Sequence, residues 1–303
     1  MQKKDRIIVH SDINHCYAQI EEMKYPGLRD VPMAVGGNEE ERHGIILAKN
    51  DKAKAFHIKT GESLREALAK CPQLRILKPD YEEYMYYTER VKDIYREYTD
   101  KVESFGLDEA WIDLSESTAL FGSGMSIARK IQNRVEHELG MTVSMGVSYN
   151  KIFAKIGSDM DKHKGLVEIT RENYRERIWP LPVQDLFYVG RATKHKLAHY
   201  SIETIGQLAQ LPQGWMKDRF GKVGELIWWF ANGEDVSEVA LSSHQEQVKS
   251  VGNAITAPKD IKSFEDAKIV YYVLAESVAS RLREQGLRGL SLIHISEPTR
   301  LDV

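Results

Sequence analysis

Two short acidic sites, far apart in the chain, each stand at the end of an apolar run. Asp12 follows Ile7-Ile8-Val9, and Asp108-Glu109 opens Ala110-Trp111-Ile112-Asp113-Leu114. Both read as carboxylates at the tips of β-strands. A fold that joins these strand ends gathers three negative charges, which repel unless something positive lies between them. Hard divalent cations such as Mg²⁺ take oxygen ligands of this kind, usually beside substrate phosphates. Two such ions can activate an attacking oxygen and stabilise a leaving one in phosphoryl transfer. Nucleotidyl transfer is therefore the expected chemistry. Each site alone also has a structural reading. Asp before a helix is a common N-cap, and Asp-Glu suits a hairpin turn. The functional reading rests on both occurring together with the segments below.

The pattern around these sites alternates strands and helices. Strands are expected at 6–11, 32–37, 44–49, 74–77, 142–148 and 165–169, with a hairpin at 102–114. Helices are expected at 15–25, 52–56, 63–70, 81–98, 126–139 and 151–160. Ile127, Ile131, Val135 and Leu139 form one apolar stripe at helical spacing. Strands interleaved with helices around a hairpin give an α+β class. Residues 171–240 read as mainly helical, and 242–250 as a polar linker. From 249 a new α/β pattern begins, with a strand, a helix over 263–285 and another strand.

A chain of 303 residues holds about two domains, or more if they are small. Its 42% hydrophobic and 29% charged residues are ordinary for a globular protein. No apolar run is long enough to span a bilayer. The start lacks the apolar stretch of a secretory signal. Two cysteines, Cys16 and Cys71, make no CxxC or zinc pattern, so a reducing cytoplasm is the expected location. The net charge of −3 weighs against a nucleic-acid binder if taken alone. Local charge says otherwise: Lys49, Lys52, Lys54 and Lys59 cluster against Asp51, and Lys151, Lys155, Lys162 and Lys164 against Asp159 and Asp161.

Three segments, in order and spacing, closely resemble the palm of the Y-family translesion DNA polymerases, on the polymerase-IV-like branch. They are His10-Ser11-Asp12-Ile13-Asn14-His15-Cys16-Tyr17-Ala18, Phe105-Gly106-Leu107-Asp108-Glu109-Ala110-Trp111-Ile112-Asp113, and the stretch from Gly146 through Asn150-Lys151-Ile152-Phe153-Ala154-Lys155 to Met160. The likeness runs from residue 6 to about 289. It implies a ferredoxin-like palm at 1–36 and 76–168, small fingers at 37–75, and a helical thumb with a helix-hairpin-helix at 169–241. A linker at 242–248 and a partial α/β little finger at 249–289 would follow. The implied activity is template-directed transfer of deoxynucleoside monophosphates to a primer 3′ end, with two Mg²⁺ ions. The implied partners are primer-template DNA and deoxynucleoside triphosphates, with a sliding clamp for the full-length protein. A monomer is expected, with no membrane partner.

The resemblance also assigns residues. Asp12, Asp108 and Glu109 match the metal carboxylates, and the Ile13 carbonyl matches a further metal ligand. Tyr17 matches an aromatic steric gate against a 2′-OH; its structural rival is a core aromatic. Asn14, His15 and Cys16 would offer backbone N–H groups to the triphosphate, as helix starts do for anions. His15 is read as an ordinary first-turn position rather than a metal ligand. Lys54 and Lys162 match triphosphate contacts; the rival is a solvated lysine. Lys151, Lys155, Val189, Gly190, Arg191, Thr193, Gly221 and Gly224 are the expected DNA contacts. The chain departs from the family at Asp51, where Tyr or Ser is usual, at Gly106, where Ser is usual, and at Val189-Gly190-Arg191 in place of Gly-Ile-Gly.

The end departs as well. Residues 290–303 resemble translated adapter read-through, and their rival is a genuine strand over 290–295. A little finger with so few elements is expected to bury too little apolar surface to stand alone. Two other functions compete: a palm-fold cyclase-like nucleotidyl transferase, and a DNA-binding accessory protein without catalysis. The thumb hairpin and basic fingers oppose the first, and the intact carboxylates oppose the second.

Overall fold

The structure, a computed structural model, describes residues 5–37, 44–244, 247–255, 257 and 260–293. Strand β1 (Ile8–Ile13) is buried along most of its length and lies at the centre of a five-stranded sheet. It is followed by α1 (Cys16–Lys24), β2 (Met33–Gly36), β3 (Ile46–Lys49), α2 (Asp51–Lys54), α3 (Leu64–Lys70) and β4 (Arg75–Leu77). Next come α4 (Tyr81–Arg96), β5 (Val102–Phe105), β6 (Glu109–Asp113), α5 (Thr118–Phe121), α6 (Gly124–Leu139), β7 (Val143–Ser148), α7 (Lys151–Met160) and β8 (Leu166–Ile169). A helical stretch holds α8 (Tyr174–Arg177), α9 (Arg191–Ala198), α10 (Ile205–Ala209) and α11 (Gln213–Ala231), and α12 (Phe264–Glu284) stands later. The α+β expectation holds.

The large sheet runs β5-β6-β1-β7-β8. β1 pairs antiparallel with both neighbours, while β7 and β8 are parallel and joined through α7. Side chains alternate faces along a strand. Val9, Ala110, Ile112, Met145 and Val147 face α4 and α6, forming a core with Tyr95, Ile127, Ile131 and Val135. Tyr95 is fully enclosed there and shares a 2.7 Å hydrogen bond with Ser11. The opposite face carries Ile8 and Trp111, covered by Ala154 of α7 and by Val239.

Gly146 and Gly157 explain how closely α7 lies on the sheet. A Cβ at Gly146 would overlap the Ala154 carbonyl, and one at Gly157 would be 3.1 Å from the Gly146 Cα. The other side of α7, with Ile152, Phe153 and Ile156, joins the core of the helical segment through Leu186, Ile205, Ile227 and Phe230. α7 therefore links sheet and helices. A second, three-stranded sheet, β3-β2-β4, packs on α2 and α3 around Ile46, Ala53, Leu64 and Ala67.

Caps move some helix boundaries. Ser123 accepts from the Ser126 N–H, so the helix expected from 126 starts at Gly124. Asn50 accepts from Ala53 N at 3.0 Å and starts α2 at Asp51. Residues 5–37 and 45–244 form one compact unit, and the described residues from 247 onward belong to a second. In that second unit, α12 matches the expected helix, and none of its residues is buried. The strands expected on either side of it are absent among the described residues. A strand needs a neighbouring strand for its N–H and C=O groups, and among the described residues neither segment pairs with one. The rest of the tail, from 294, lies outside the described residues. Among the described residues, no helix is long and apolar enough to cross a membrane.

Candidate active site

The central pairing of the sheet builds the site. Asp12 lies opposite Glu109 in the β1–β6 register, and the Ile13 N–H donates to the Asp108 carbonyl at 3.0 Å. The turn between β5 and β6 depends on Gly106, whose φ of +70° is a conformation that glycine adopts at little cost. The glycine found there instead of a serine thus has a backbone reason. Asp12, Asp108 and Glu109 are drawn together as the sequence implied, each partly exposed.

Two lysines on or just after α7 meet these carboxylates. Lys162 pairs with Asp12, and also with Asp159 at 2.6 Å. Lys155 pairs with Glu109. Burial works against the charge on Lys162, but Asp12 and Asp159 outweigh it and hold its ammonium above the usual range. Burial raises the Asp12 carboxyl against the pull of Lys162. Burial, then the charge of Asp12, raises Asp108. Burial also opposes ionisation of Glu109, yet the neighbouring His10 and Lys155 side chains prevail and hold it at about 2.

A cleft of about 450 Å³ opens beside Asp12 and Asp108. Ile13, Asn14, His15, Cys16, Tyr17, Lys54 and Lys162 line it, along with Asp51, Lys49 and His163. Tyr17 projects from the first turn of α1 with its ring stacked on Tyr84. Cys16 is buried, and Lys54 is exposed at the cleft's rim. Burial, then the nearby Lys54 charge, lowers the Lys49 ammonium; Lys49 and Lys54 stand on this wall of the cleft beside Asp51.

Several expected contacts do not fit this geometry. The Asn14 N–H is already donated to the Thr142 carbonyl at 3.0 Å, and its side chain bonds Thr142 and Ser144. Asn14 therefore fastens β1 to β7 and has no backbone N–H left for a phosphate. His15 is not in the first helical turn; it is the N-cap, in a left-handed conformation at φ 35°. The N–H groups of Cys16 and Tyr17 open α1 and lack intrahelical partners, so the expected anion site narrows to them and His15.

Lys151 is buried rather than turned to solvent. Its ammonium is 2.6 Å from Glu103 and 4.4 Å from the centre of the Trp111 ring. Glu103 also accepts from Ala240 N at 2.9 Å. The expected DNA contact through this side chain is replaced by a brace between the sheet and the end of the helical segment. Lys155 is likewise committed to Glu109 rather than free for a DNA strand.

In the helical segment, Gly190 caps α9 and is exposed with Arg191, while Thr193 is half-buried. Val189 points into the core, and its N–H bonds the Leu186 carbonyl. Gly190 and Val189 line a separate cleft of about 720 Å³ against α7. Gly221, at φ +64°, breaks α11 in an exposed turn. Gly224 is buried where a Cβ would overlap the Met216 carbonyl, so it is a packing glycine and not a DNA contact. Sequence reasoning missed His10 and Ser158, which lie behind Glu109. The signal was available: His10 precedes Asp12 by two residues and so shares its face of β1.

The donor chemistry suits a hard divalent cation: the Asp12 and Asp108 carboxyls, raised in pKa by burial and by neighbouring negative charge, would be relieved by a positive charge. The carboxylates are nevertheless turned to lysines, and among the described residues no three Asp, Glu, His or Cys side chains converge on one metal position.

Known proteins resemble this chain over most of its length. Residues 11–159 match the impB/mucB/samB family, residues 184–235 match a DNA polymerase-iota thumb domain, and residues 248–293 match the impB/mucB/samB C-terminal domain. DNA polymerase IV of Acetivibrio thermocellus is 49% identical over 294 residues, covering 97% of this chain and 74% of that protein. DNA polymerase IV of Moorella thermoacetica is 37% identical, covering 98% and 75%. Among solved structures, a Y-family DNA polymerase chimera superposes with a TM-score of 0.82 at 22% identity, over 91% of this chain and 80% of that one. DinB from Sulfolobus solfataricus gives 0.69 at 24% identity, over 77% and 68%. These two structures share the fold.

Proposed function

The chain belongs to the Y-family DNA polymerases, with the impB/mucB/samB proteins and DNA polymerase IV, and from that membership we propose how its residues divide the work. It is a DNA-directed DNA polymerase of the translesion kind, acting on primer-template DNA and deoxynucleoside triphosphates. In this reading the palm is 1–36 and 76–168, the fingers 37–75, the thumb 169–241 and a little-finger segment 249–289.

Asp12, Asp108, Glu109 and the Ile13 carbonyl would hold the divalent cations. Such ions, when bound, lower the pKa of an attacking hydroxyl and neutralise phosphate charge. Lys54 and Lys162 would attract the triphosphate into the cleft beside Asp12, with the N–H groups of His15, Cys16 and Tyr17 at its base. Tyr17 would close the cleft beneath the sugar and leave no room for a 2′-OH. Gly190, Arg191 and Thr193, at the start of α9, would hold a DNA phosphate and so position the duplex without reading sequence.

One observation carries the reading: the cross-strand pairing of Asp12 with Glu109, with Asp108 tied to Ile13 in the adjoining turn. Structural caps and turns would have no reason to converge from such distant parts of the chain. Asp108→Asn and Glu109→Gln test it. Each should lower insertion by at least about 100-fold, since removing a principal electrostatic contact costs that much in other enzymes, while primer-template binding stays intact. Near-normal insertion in both would end the two-metal reading.

A further inference from the structure

Behind Glu109 lies a buried group that the reaction as described does not use. His10 has no exposed surface. Its Nε2 lies 3.0 Å from Glu109 Oε2, with no hydrogen bond between them. Its Nδ1 is 2.7 Å from the hydroxyl of Ser158 on α7, which is itself fully buried. The ring edge rests against Trp111, with centroids 5.3 Å apart. Lys155, one turn earlier on α7, meets the same Glu109 oxygen. Among the described residues, no hydrogen bond is made to the other oxygen, Oε1.

We propose that His10 is a positioning residue: its enclosed ring backs Oε2 of Glu109, which Lys155 bonds, so that Oε1 is the oxygen Glu109 offers to the reaction. This rests on the reading of Glu109 as a catalytic carboxylate. Lysine alone would not suffice, because its long stem follows a carboxylate through several rotamers. The imidazole cannot follow. It is enclosed on its faces, fixed at Nδ1 by Ser158, and carried on the central strand that also carries Asp12. Partners of this kind, which touch a ligand-binding carboxylate without touching the ligand, set its orientation and are costly to remove.

The test uses the full chain with His10→Gln, His10→Asn and Ser158→Ala. Glutamine can place an amide nitrogen near the Nε2 position; asparagine reaches only the Nδ1 position. Two readouts are taken: single-nucleotide insertion kinetics, and Mn²⁺ binding by electron paramagnetic resonance in a complex with a dideoxy-terminated primer. His10→Asn should lose about tenfold or more in kcat and bind Mn²⁺ about tenfold more weakly, in the range such partners command, while KM for the nucleotide and DNA affinity stay near wild type. His10→Gln should restore most of both, and Ser158→Ala should fall between.

Wild-type kcat and Mn²⁺ affinity in His10→Asn and Ser158→Ala would overturn the proposal. So would equal losses in His10→Gln and His10→Asn with equal falls in Tm, which would make His10 a packing residue. If His10→Asn does not fold, Ser158→Ala decides alone. Glu109→Gln separates the two levels: if it still inserts nucleotides, the reading of Glu109 fails and the proposal with it. If it is inactive while the His10 and Ser158 variants are unaffected, only the proposal fails.

Discussion

The rings of Tyr17 and Tyr84 lie face to face, with centroids 4.4 Å apart and planes 10° apart. Tyr84 is fully buried on α4, and its hydroxyl donates to the enclosed Glu21 carboxylate at 2.6 Å. Tyr81 meets Tyr17 edge-on at 6.1 Å. The ring proposed to exclude a 2′-OH is thus supported from two sides, and its position depends on residues distant in sequence.

Sugar discrimination should follow this stack. Tyr17→Ala should raise ribonucleotide insertion by on the order of 100-fold relative to deoxynucleotide insertion, the scale on which pocket shape rejects a hydroxyl. Tyr84→Leu should relax discrimination by a smaller factor with Tyr17 intact. Tyr84→Phe should preserve discrimination and cost about 1–3 kcal/mol of stability, since it leaves Glu21 without its donor. Unchanged ribonucleotide insertion in Tyr17→Ala, read from single-nucleotide kinetics, would return Tyr17 to the core.

The charge crowding at Asp108 sets a pH-dependent cost. Its folded pKa lies above the ordinary 3.8, through burial first and the Asp12 charge second. A group raised in this way stabilises the fold below its unfolded value, and that contribution is lost as pH rises through the folded value. Metal-free Asp108→Asn should therefore melt above the wild type at neutral pH, by about 2–4 °C for each kcal/mol of repulsion removed. The gap should close below pH 3.8. Added Mg²⁺ should raise the wild-type Tm more than that of the variant. A wild type that is the more stable at pH 7 without metal contradicts this account of the site.

The expected DNA contacts should separate by burial. Arg191→Ala should weaken primer-template binding alike on all sequences and reduce the salt slope by about 1. Lys151→Met should leave that slope unchanged and lower stability by about 3 kcal/mol, because Glu103 loses its partner. A changed salt slope in Lys151→Met, measured by anisotropy titrations at several salt concentrations, would return Lys151 to the DNA interface.

The acidic tips, the strands and the helices of the first unit were legible because each rests on a local pattern: an apolar run, a helical stripe or a turn glycine. What was not legible depends on partners remote in sequence. Nothing near Asn14 shows that Thr142 takes its N–H. Nothing near Lys151 shows that Glu103 and Trp111 enclose it. Gly224 resembles an exposed hairpin glycine until Met216 is seen against it. The strands expected beside α12 had suitable residues, but among the described residues no strand pairs with them. His10 is a different case, because alternation along β1 places its ring on the face of Asp12.

Close approach of α7 to the sheet should be indispensable. In Gly146→Ala the added methyl would crowd Ser158 N at 2.5 Å and overlap the Ala154 carbonyl. Backbone cannot yield as a side-chain tip can, so a loss of about 1–3 kcal/mol or more is expected. Activity should fall further than stability, because α7 also carries Lys155 and Ser158. Thermal melts and insertion rates on the same preparation check this. A wild-type rate in a stable variant would show that the site tolerates movement of the helix.

The most direct test of the central claim is primer extension with Mg²⁺, each deoxynucleoside triphosphate supplied singly, and the template base varied. The account predicts addition of the nucleotide complementary to each template base, none without primer or Mg²⁺, and none in Asp12→Ala. Nucleotide turnover that ignores the template, or extension that survives loss of Asp12, would contradict it.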